Sequence, residues 1–333
     1  MPIQTVSQAF INEGLGSFSF RNKIINGAME IAQRGNTFTN QATTSSPNGP
    51  YTLDRWKNNR ASDVPGLTVT QSTDAPQGFI NSMRLQRVSG NTSNASTYIF
   101  HTLAREDSIP LAGETVTLSF YAKAGANYSA SGNTISIQSQ TTTTDSDTKV
   151  YSFSSPVTVD AKNFTLTTSW QRFSTTFTLG SAIKQFGFLV FSGTTSAALT
   201  GTAGADDSWY ATGFQLEEGS VATPFERRPY GTELRLCQRY FTRFGPFSLE
   251  AYQGATGFVR ALNTIVPLPV EMRTTPTRTV NTTGSSNIIR TSVTDFSGLS
   301  PVSAKHLNAY LETNNTTGVA SISGRTESFD AEL

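Results

Sequence analysis

The sequence predicts an all-β chain: an antiparallel β-sandwich of the jelly-roll kind, then a smaller C-terminal β domain, joined by a short helix. Three observations carry this. Of 333 residues, 49 are Thr and 38 are Ser, with 26 Gly and 22 Phe, which suits pleated, half-buried strands and tight turns. Two-residue alternation of apolar side chains recurs along the chain. Only one stretch has helical spacing. The length suits two domains, each able to bury a core of its own.

Residues 1–22 mix Gln, Ser and Gly with isolated Ile3, Val6, Phe10 and Ile11. Four spaced apolar residues cannot form a core, so this segment is expected to be an arm that docks on another protein. The jelly roll is expected over 23–228. It opens with a short apolar stretch closed by the turn signal Asn26–Gly27. Over 115–123, Val116, Leu118, Phe120 and Ala122 fall on one face, and 134–140 alternates through Ile135 and Ile137. Strands are also expected at 164–166, at 170–179 (with Trp170, Phe173, Phe177 and Leu179), at 184–192 and at 209–217. Eight or more strands with Gly, Ser and Asn turns indicate a sandwich, and a jelly roll protects its edges. The polar stretches 89–96 and 141–148 belong at the rim. Residues 229–243 change character: Pro229 starts a helix, with Leu234, Cys237 and Phe241 three and four residues apart, and it reads as a connector. The remainder, 244–333, has short strands at 258–267, 279–283, 287–293 and 319–323 and forms the second β unit.

Charge and motif content exclude several functions. With 25 basic and 24 acidic residues the net charge is +1, without the basic excess that phosphate recognition needs, so no nucleic-acid partner is expected. Apolar runs such as 186–191 are strand length, so no membrane insertion is expected. The start MPIQTVSQAF lacks a basic segment followed by an apolar one, so no secretory signal is expected. One cysteine permits no intrachain disulfide, and Cys237 reads as a small apolar residue packed on a helix. Two histidines, His101 and His306, cannot make a histidine-rich metal site. No nucleophile elbow, phosphate loop or dinucleotide motif occurs. The adjacent acids Asp206–Asp207 and Glu217–Glu218 read as a loop turn and a strand end, not as the carboxylate pair of a glycosidase. The chain is expected not to be an enzyme.

One ordered set of segments is distinctive. It comprises NKIINGAMEIAQRG (22–35), YTLDRW (51–56), LAGETVTLSFYAKA (111–124), SWQRFSTTF (169–177), GFQLEEGSVATPFERRPYGTEL (213–234), CQRYF (237–241), MRTTPT (272–277) and the terminal DAEL (330–333). In this order and spacing they resemble the tail-fibre proteins of tailed bacteriophages, especially of marine and cyanobacterial hosts, over residues 22–333. The resemblance implies a virion structural protein, made in the host cytoplasm, with a jelly roll of the carbohydrate-binding-module kind. It also implies a homotrimer that contacts other virion proteins through the arm. It supplies no catalytic residue. Fibres that reach out from a tail normally carry a long anchor and shaft, whereas 22 residues precede the jelly roll here. That implies either a compact distal piece or a protein seated directly on the particle.

Candidate binding residues follow from side-chain chemistry. Trp56 and Trp170, beside alternating apolar residues, are expected in the core. Trp209 and Tyr210 follow Asp206, Asp207 and Ser208 in a polar context, which pairs a stacking face for a sugar ring with partners for its hydroxyls. Tyr98 and His101 are weaker candidates for the same role. Arg227 and Arg228 are expected to pair with Glu226 or a neighbouring subunit. Glu30 stands where sugar-binding jelly rolls often place a calcium ligand, but one acid is not a ligand set, so no metal or cofactor is expected. Two functions fit: a fibre or knob that attaches to host surface glycans, or a capsid or tail decoration protein that is purely architectural and binds no sugar.

Overall fold

The computed structural model describes residues 20–39, 50–60, 67–92, 97–145, 147–193, 199–253, 262–282, 285–289, 299–301, 306–311 and 318–332. The chain divides into two compact units, the first ending at Tyr230 and the second running from Gly231 to Glu332.

Alternation along the strands builds the first unit. A six-stranded antiparallel sheet has the order β1 (Thr37–Phe38), β3 (Leu67–Ser72), β4 (Ser82–Arg87), β11 (Ser208–Glu218), β6 (Thr115–Ala124), β9 (Gln171–Thr178). A five-stranded antiparallel sheet has the order β2 (Lys57–Arg60), β5 (Thr97–Thr102), β10 (Gln185–Ser192), β7 (Thr134–Thr142), β8 (Val157–Thr165). Their inner faces meet in one core: Val116, Leu118, Phe120 and Ala122 of β6 pack with Ile135 and Ile137 of β7 and with Phe186, Phe188 and Val190 of β10. Burying such side chains stabilises the fold by about 1.5–3 kcal/mol each before entropy is counted. The short strands β1 to β5 lie outside the segments that alternate clearly enough to be read from sequence.

The segment 22–31 lies against this core and explains its Asn-Gly turn. Asn26 adopts φ +58, and its amide donates to Ile31 O and Asp54 O while its Oδ1 accepts from Ile31 N. Gly27 passes so close to β11 that a Cβ there would meet the Phe214 carbonyl oxygen at 2.1 Å. Trp56 is fully buried, as expected, and its Nε1 donates to Asn26 O. The sandwich also takes in the end of the arm. Asn22 is buried, its amide donates to Phe214 O, and Arg21 lies 3.2 Å from Glu217. Ile3, Val6, Phe10 and Ile11 lie outside the described residues.

A short helix, α1 (Arg105–Ser108), follows β5, and α2 (Tyr230–Gln238) leads into the second unit. The helical stretch is shorter than its sequence spacing suggests. Phe241 already belongs to β12 (Phe241–Gln253), which pairs with β18 (Gly318–Asp330) from Phe241↔Asp330 onward. On the other side of β18 lie β14 (Thr277–Thr282) and β15 (Ser285–Ile289). The strands β13 (Leu262–Pro267), β17 (His306–Leu311) and β16 (Leu299–Pro301) form a separate three-stranded sheet. The register of β12 slips between Phe244 and Phe247, where Pro246 has no N–H for the ladder. Cys237 is buried, as are Tyr240, Phe241, Met272 and Phe329 of the same unit.

Candidate functional site

The residues expected to form a sugar site are split by the strand that carries them. Neighbours on a strand point to opposite faces, so Trp209 and Tyr210 cannot present a joint aromatic surface. Trp209 points inward and is 1% exposed, and its Nε1 donates to Ser192 Oγ at 2.8 Å. It is a core residue, not a stacking platform. Asp207 is also buried. It accepts from Arg87 Nη1 at 2.9 Å and from Ser129 N at 3.0 Å, while Arg87 donates to Asn91 O and Gly201 O. This buried ion pair joins three loops at one end of the sandwich. Asp206 accepts from Ser208 Oγ, Arg84 Nη2 and Ala126 N. Burial alone would raise its pKa, but the hydrogen bonds from Ser208, Arg84 and Ala126 hold it below the usual carboxylate value.

Of the four, Tyr210 has its ring on the outer face of the six-stranded sheet, where it is 9% exposed. Cations cover it: Lys123 Nζ is 4.8 Å and Arg84 Cζ 5.6 Å from the ring centroid. Trp170, expected in the core, is half-buried on this face with its edge toward Tyr210 and its Nε1 donating to Asp74. Asp74 in turn pairs with Lys123. The same alternation of cation and ring continues through Arg172 over Tyr121 and Arg227 over Phe79. The face is closed on itself, each charged head already engaged.

The bulge at Gly213 sets which β11 residues point inward. Trp209 and Ala211 face the core before it, Phe214 and Leu216 after it, a shift of one residue in the alternation. Gly213 has φ +65, and a Cβ there would meet Phe79 Cζ at 2.7 Å.

The outer face of the five-stranded sheet is organised differently. Register places Lys57, Phe100, Leu189, Gln138 and Ala161 in one row across β2, β5, β10, β7 and β8. The next row holds Asn59, Tyr98, Phe191, Ser136 and Asn163. The β7–β8 connection crosses this face as a strap. Its single turn, Val150–Ser152, puts Val150 and Phe153 into a second apolar cluster with Tyr98, Phe100, Leu189 and Phe191. Gly187 permits the approach, since a Cβ there would lie 2.6 Å from Val150 Cβ, and Thr102 Oγ1 accepts from Val150 N at 2.9 Å. Tyr98 is therefore buried under the strap. Tyr151 stacks on it at 5.7 Å with 46% of its own surface exposed. Beside the strap, Gln138 is half-buried, and Ala161 and Asn163 are exposed. Ser136 Oγ donates to Asn163 Oδ1 at 2.6 Å, and Gln138 Nε2 donates to Thr158 Oγ1 at 3.2 Å. Ser136 itself is buried, so the face offers an exposed ring and, two and three strands away, the carboxamides of Gln138 and Asn163, a set that suits a polyhydroxylated ligand. Sequence reasoning passed over Tyr151, because it sits in a polar stretch between strands with no alternating neighbours.

His101 lies on the inner side of β5, edge-on to Trp56 at 5.1 Å and stacked on Phe188 at 6.1 Å. Burial, then the Arg55 guanidinium, hold its pKa well below the ordinary histidine value, outweighing the Ile25 backbone. It is a neutral core group with no surface for a ligand. Glu30 pairs with Arg227 at 3.3 Å, and among the described residues no group of three His, Cys, Asp or Glu is placed to hold a metal. Glu217 is buried and bonded to Thr223 and Gln215, while its neighbour Glu218 is exposed beside Lys23. Among the described residues no helix is long and apolar enough to cross a membrane.

No protein-family model and no curated protein matches the sequence. Solved structures that are similar include the enzymatically active domain of bacteriophage CBA120 tailspike protein 4, at 14% identity and a TM-score of 0.35. That match covers 60% of this chain and 22% of the tailspike chain. A putative sugar binding protein from Bacteroides thetaiotaomicron is similar at 13% identity over 60% of this chain and all of its own, with a TM-score of 0.36. TmCBM61, in complex with β-1,4-galactotriose, is similar at 13% identity over 60% of this chain and 99% of its own, with a TM-score of 0.32. Similarity at this level carries no information on function.

Proposed function

We propose that the protein is a virion component that attaches to a host surface glycan, with the outer face of the five-stranded sheet as its binding surface. The observation that carries the reading is Tyr151, exposed and stacked on the buried Tyr98, with Gln138 and Asn163 two and three strands away on the same outer face. A pyranose ring laid on such an aromatic gains about 1 kcal/mol, and the amides farther along the face can meet hydroxyls of a larger glycan. One such contact is weak, so attachment needs several copies, which a homotrimer on a particle provides. The virion setting rests on the resemblance of segments 22–35, 111–124 and 213–241 to phage tail-fibre proteins. Residues 1–22 serve as the link to other virion proteins in this reading.

A glycan array on the purified protein, with host adsorption measured in parallel, tests it. Binding that is lost in Tyr151→Ala, with an unchanged melting temperature, supports the reading. Binding of no glycan by the intact oligomer refutes it and favours the architectural role.

A further inference from the structure

We infer that β9 is a docking edge for a second copy of this chain, paired antiparallel about a two-fold axis so that two six-stranded sheets run into one. This stands apart from the glycan reading. One side of the sandwich ends in two long edge strands, β8 in one sheet and β9 in the other, and among the described residues neither has a neighbour on its outer side. Leu179 N donates to Glu114 O, which sets the hydrogen-bonding parity of the β6–β9 ladder. Arg172, Ser174, Thr176 and Thr178 therefore turn their N–H and C=O away from β6, toward the open edge. Edges are normally guarded by bulges, prolines or inward-pointing charges. β8 has two of these: its register with β7 slips between Ser139 and Gln140, and Asp160 points inward, accepting from Thr175 Oγ1 at 2.9 Å. β9 has none. Its pairing with β6 is unbroken from Thr178 to Gln171, it holds no proline, and its one charge, Arg172, lies on the outer face over Tyr121.

The strand also complements itself. One symmetric register takes all four outward residues into a ladder: Arg172 opposite Thr178 of the other copy, and Ser174 opposite Thr176 of the other copy. It closes about eight backbone hydrogen bonds and keeps the two Arg172 side chains at opposite ends of the ladder. On the inner face it sets Phe173 against Phe177 of the other copy and Thr175 against its own equivalent, and cross-strand pairs of aromatic and β-branched residues stabilise sheets. Phe173 is only half-buried in the single chain, at the margin of the core, so a continuing sheet completes its cover. Beside this edge Val221 is 69% exposed, on a segment tied to β9 by Thr176 Oγ1 donating to Ser220 O and Arg172 donating to Thr223 O. The match of backbone, rings and charge with themselves is what selects a second copy, rather than a strand of another protein, as the occupant.

Analytical ultracentrifugation of the full chain tests the inference. The expected mass is an even multiple of the 35.9 kDa chain, halved in Thr176→Pro, which deletes an outward N–H and leaves the β6 ladder whole. Halving to a trimer keeps the homotrimer of the reading above, whereas halving to a monomer supports the pair and counts against that trimer. Two charge variants read the register itself, at a position exposed in the single chain. Thr178→Glu sets a carboxylate opposite Arg172 of the other copy and should lower the dissociation constant about threefold at low salt, and Thr178→Arg should raise it about threefold. Should Thr176→Pro lose its fold by circular dichroism, this opposed pair decides alone. A monomer at high micromolar concentration, an odd multiple of the chain mass, or Glu and Arg acting alike at position 178 overturns the inference.

Discussion

The two outer faces of the sandwich use the same kinds of residue for opposite ends. On the six-stranded sheet, rings and charges satisfy one another: Lys123 lies over Tyr210, Asp74 bonds both Lys123 and Trp170, and Arg84 is shared between Tyr210 and Asp206. On the five-stranded sheet, rings are packed under a strap by apolar contact, and the polar groups beside it are amides and hydroxyls at an exposed edge. Polar groups are paired on both faces, but among the described residues only the five-stranded one leaves an aromatic ring, Tyr151, widely open to solvent. Aromatic content alone therefore does not mark a binding face. What matters is whether the ring itself is left open.

The sharpest break of this comparison is at β11, where one strand feeds the core and the charged face from adjacent positions. Trp209→Ala should destabilise the first unit by about 3–5 kcal/mol, from lost burial and the cavity left behind. Tyr210→Ala, on the other side of the backbone, should cost clearly less. Chemical denaturation of both variants checks the pair; equal costs would mean that the outer face is as tightly packed as the core. The next effect belongs to the strap. Gly187→Ala drives a methyl into Val150, which should cost about 1–3 kcal/mol. It should also displace Tyr151, so glycan retention falls even at temperatures where the variant is folded. Retention at the wild-type level would show that the strap does not help build the face.

The sandwich itself was legible, because β6, β7, β10 and β11 alternate through Val116 to Ala122, Ile135 and Ile137, Phe186 to Val190, and Trp209. Trp56 was legible as core for the same reason. The binding face was not. Tyr151 stacks on Tyr98, some fifty positions earlier in the chain, and only register puts Gln138 and Asn163 on the same outer face. The expected quartet at 206–210 shows the converse. Those residues are adjacent in sequence, but the pleat sends Trp209 to the core and Tyr210 outward, and Asp206 and Asp207 are used up as loop staples on Arg84 and Arg87. Trp170 misled for a related reason. It precedes β9, outside the alternation of Phe173 and Phe177, so its side chain ends on the outer face.

Acid should separate the two sheets next. His101 sits on the inner side of β5, the strand whose outer side carries Tyr98 and Phe100, and its pKa is held below the ordinary value by burial and Arg55. A histidine whose folded pKa is depressed binds protons more readily when unfolded. Its contribution is complete above the unfolded value near 6.5 and is lost as pH falls below it. The melting temperature should therefore decline from about pH 7 to about pH 5, above the range where ordinary carboxylates titrate. Hydrogen exchange should rise in residues 97–102 before it rises in residues 208–212. His101→Phe keeps the ring packing on Trp56 and Phe188 and should flatten the decline. A decline that persists unchanged in the variant would place the acid sensitivity elsewhere.

The smallest expected effect is on the charged face, and it is the most exacting control for the comparison. Lys123→Ala removes a cation from the Tyr210 ring and a partner from Asp74, yet both interactions lie at the surface. Exposed pairs of this kind contribute about 0–1 kcal/mol, and salt screens them. Lys123 also covers the ring with its methylene stem, so the loss includes some packing and should be nearer the upper end of that range at low salt. Retaining that stem in Lys123→Met isolates the charge and should recover part of the difference. Neither variant should alter glycan retention, since neither touches the five-stranded sheet. The check is a denaturation midpoint for both variants at low and high salt, with retention measured on the same samples. A loss well above 1 kcal/mol would mean that Lys123, Asp74, Tyr210 and Trp170 act as a coupled network. A loss of retention without unfolding would move the binding surface to the face that carries Tyr210.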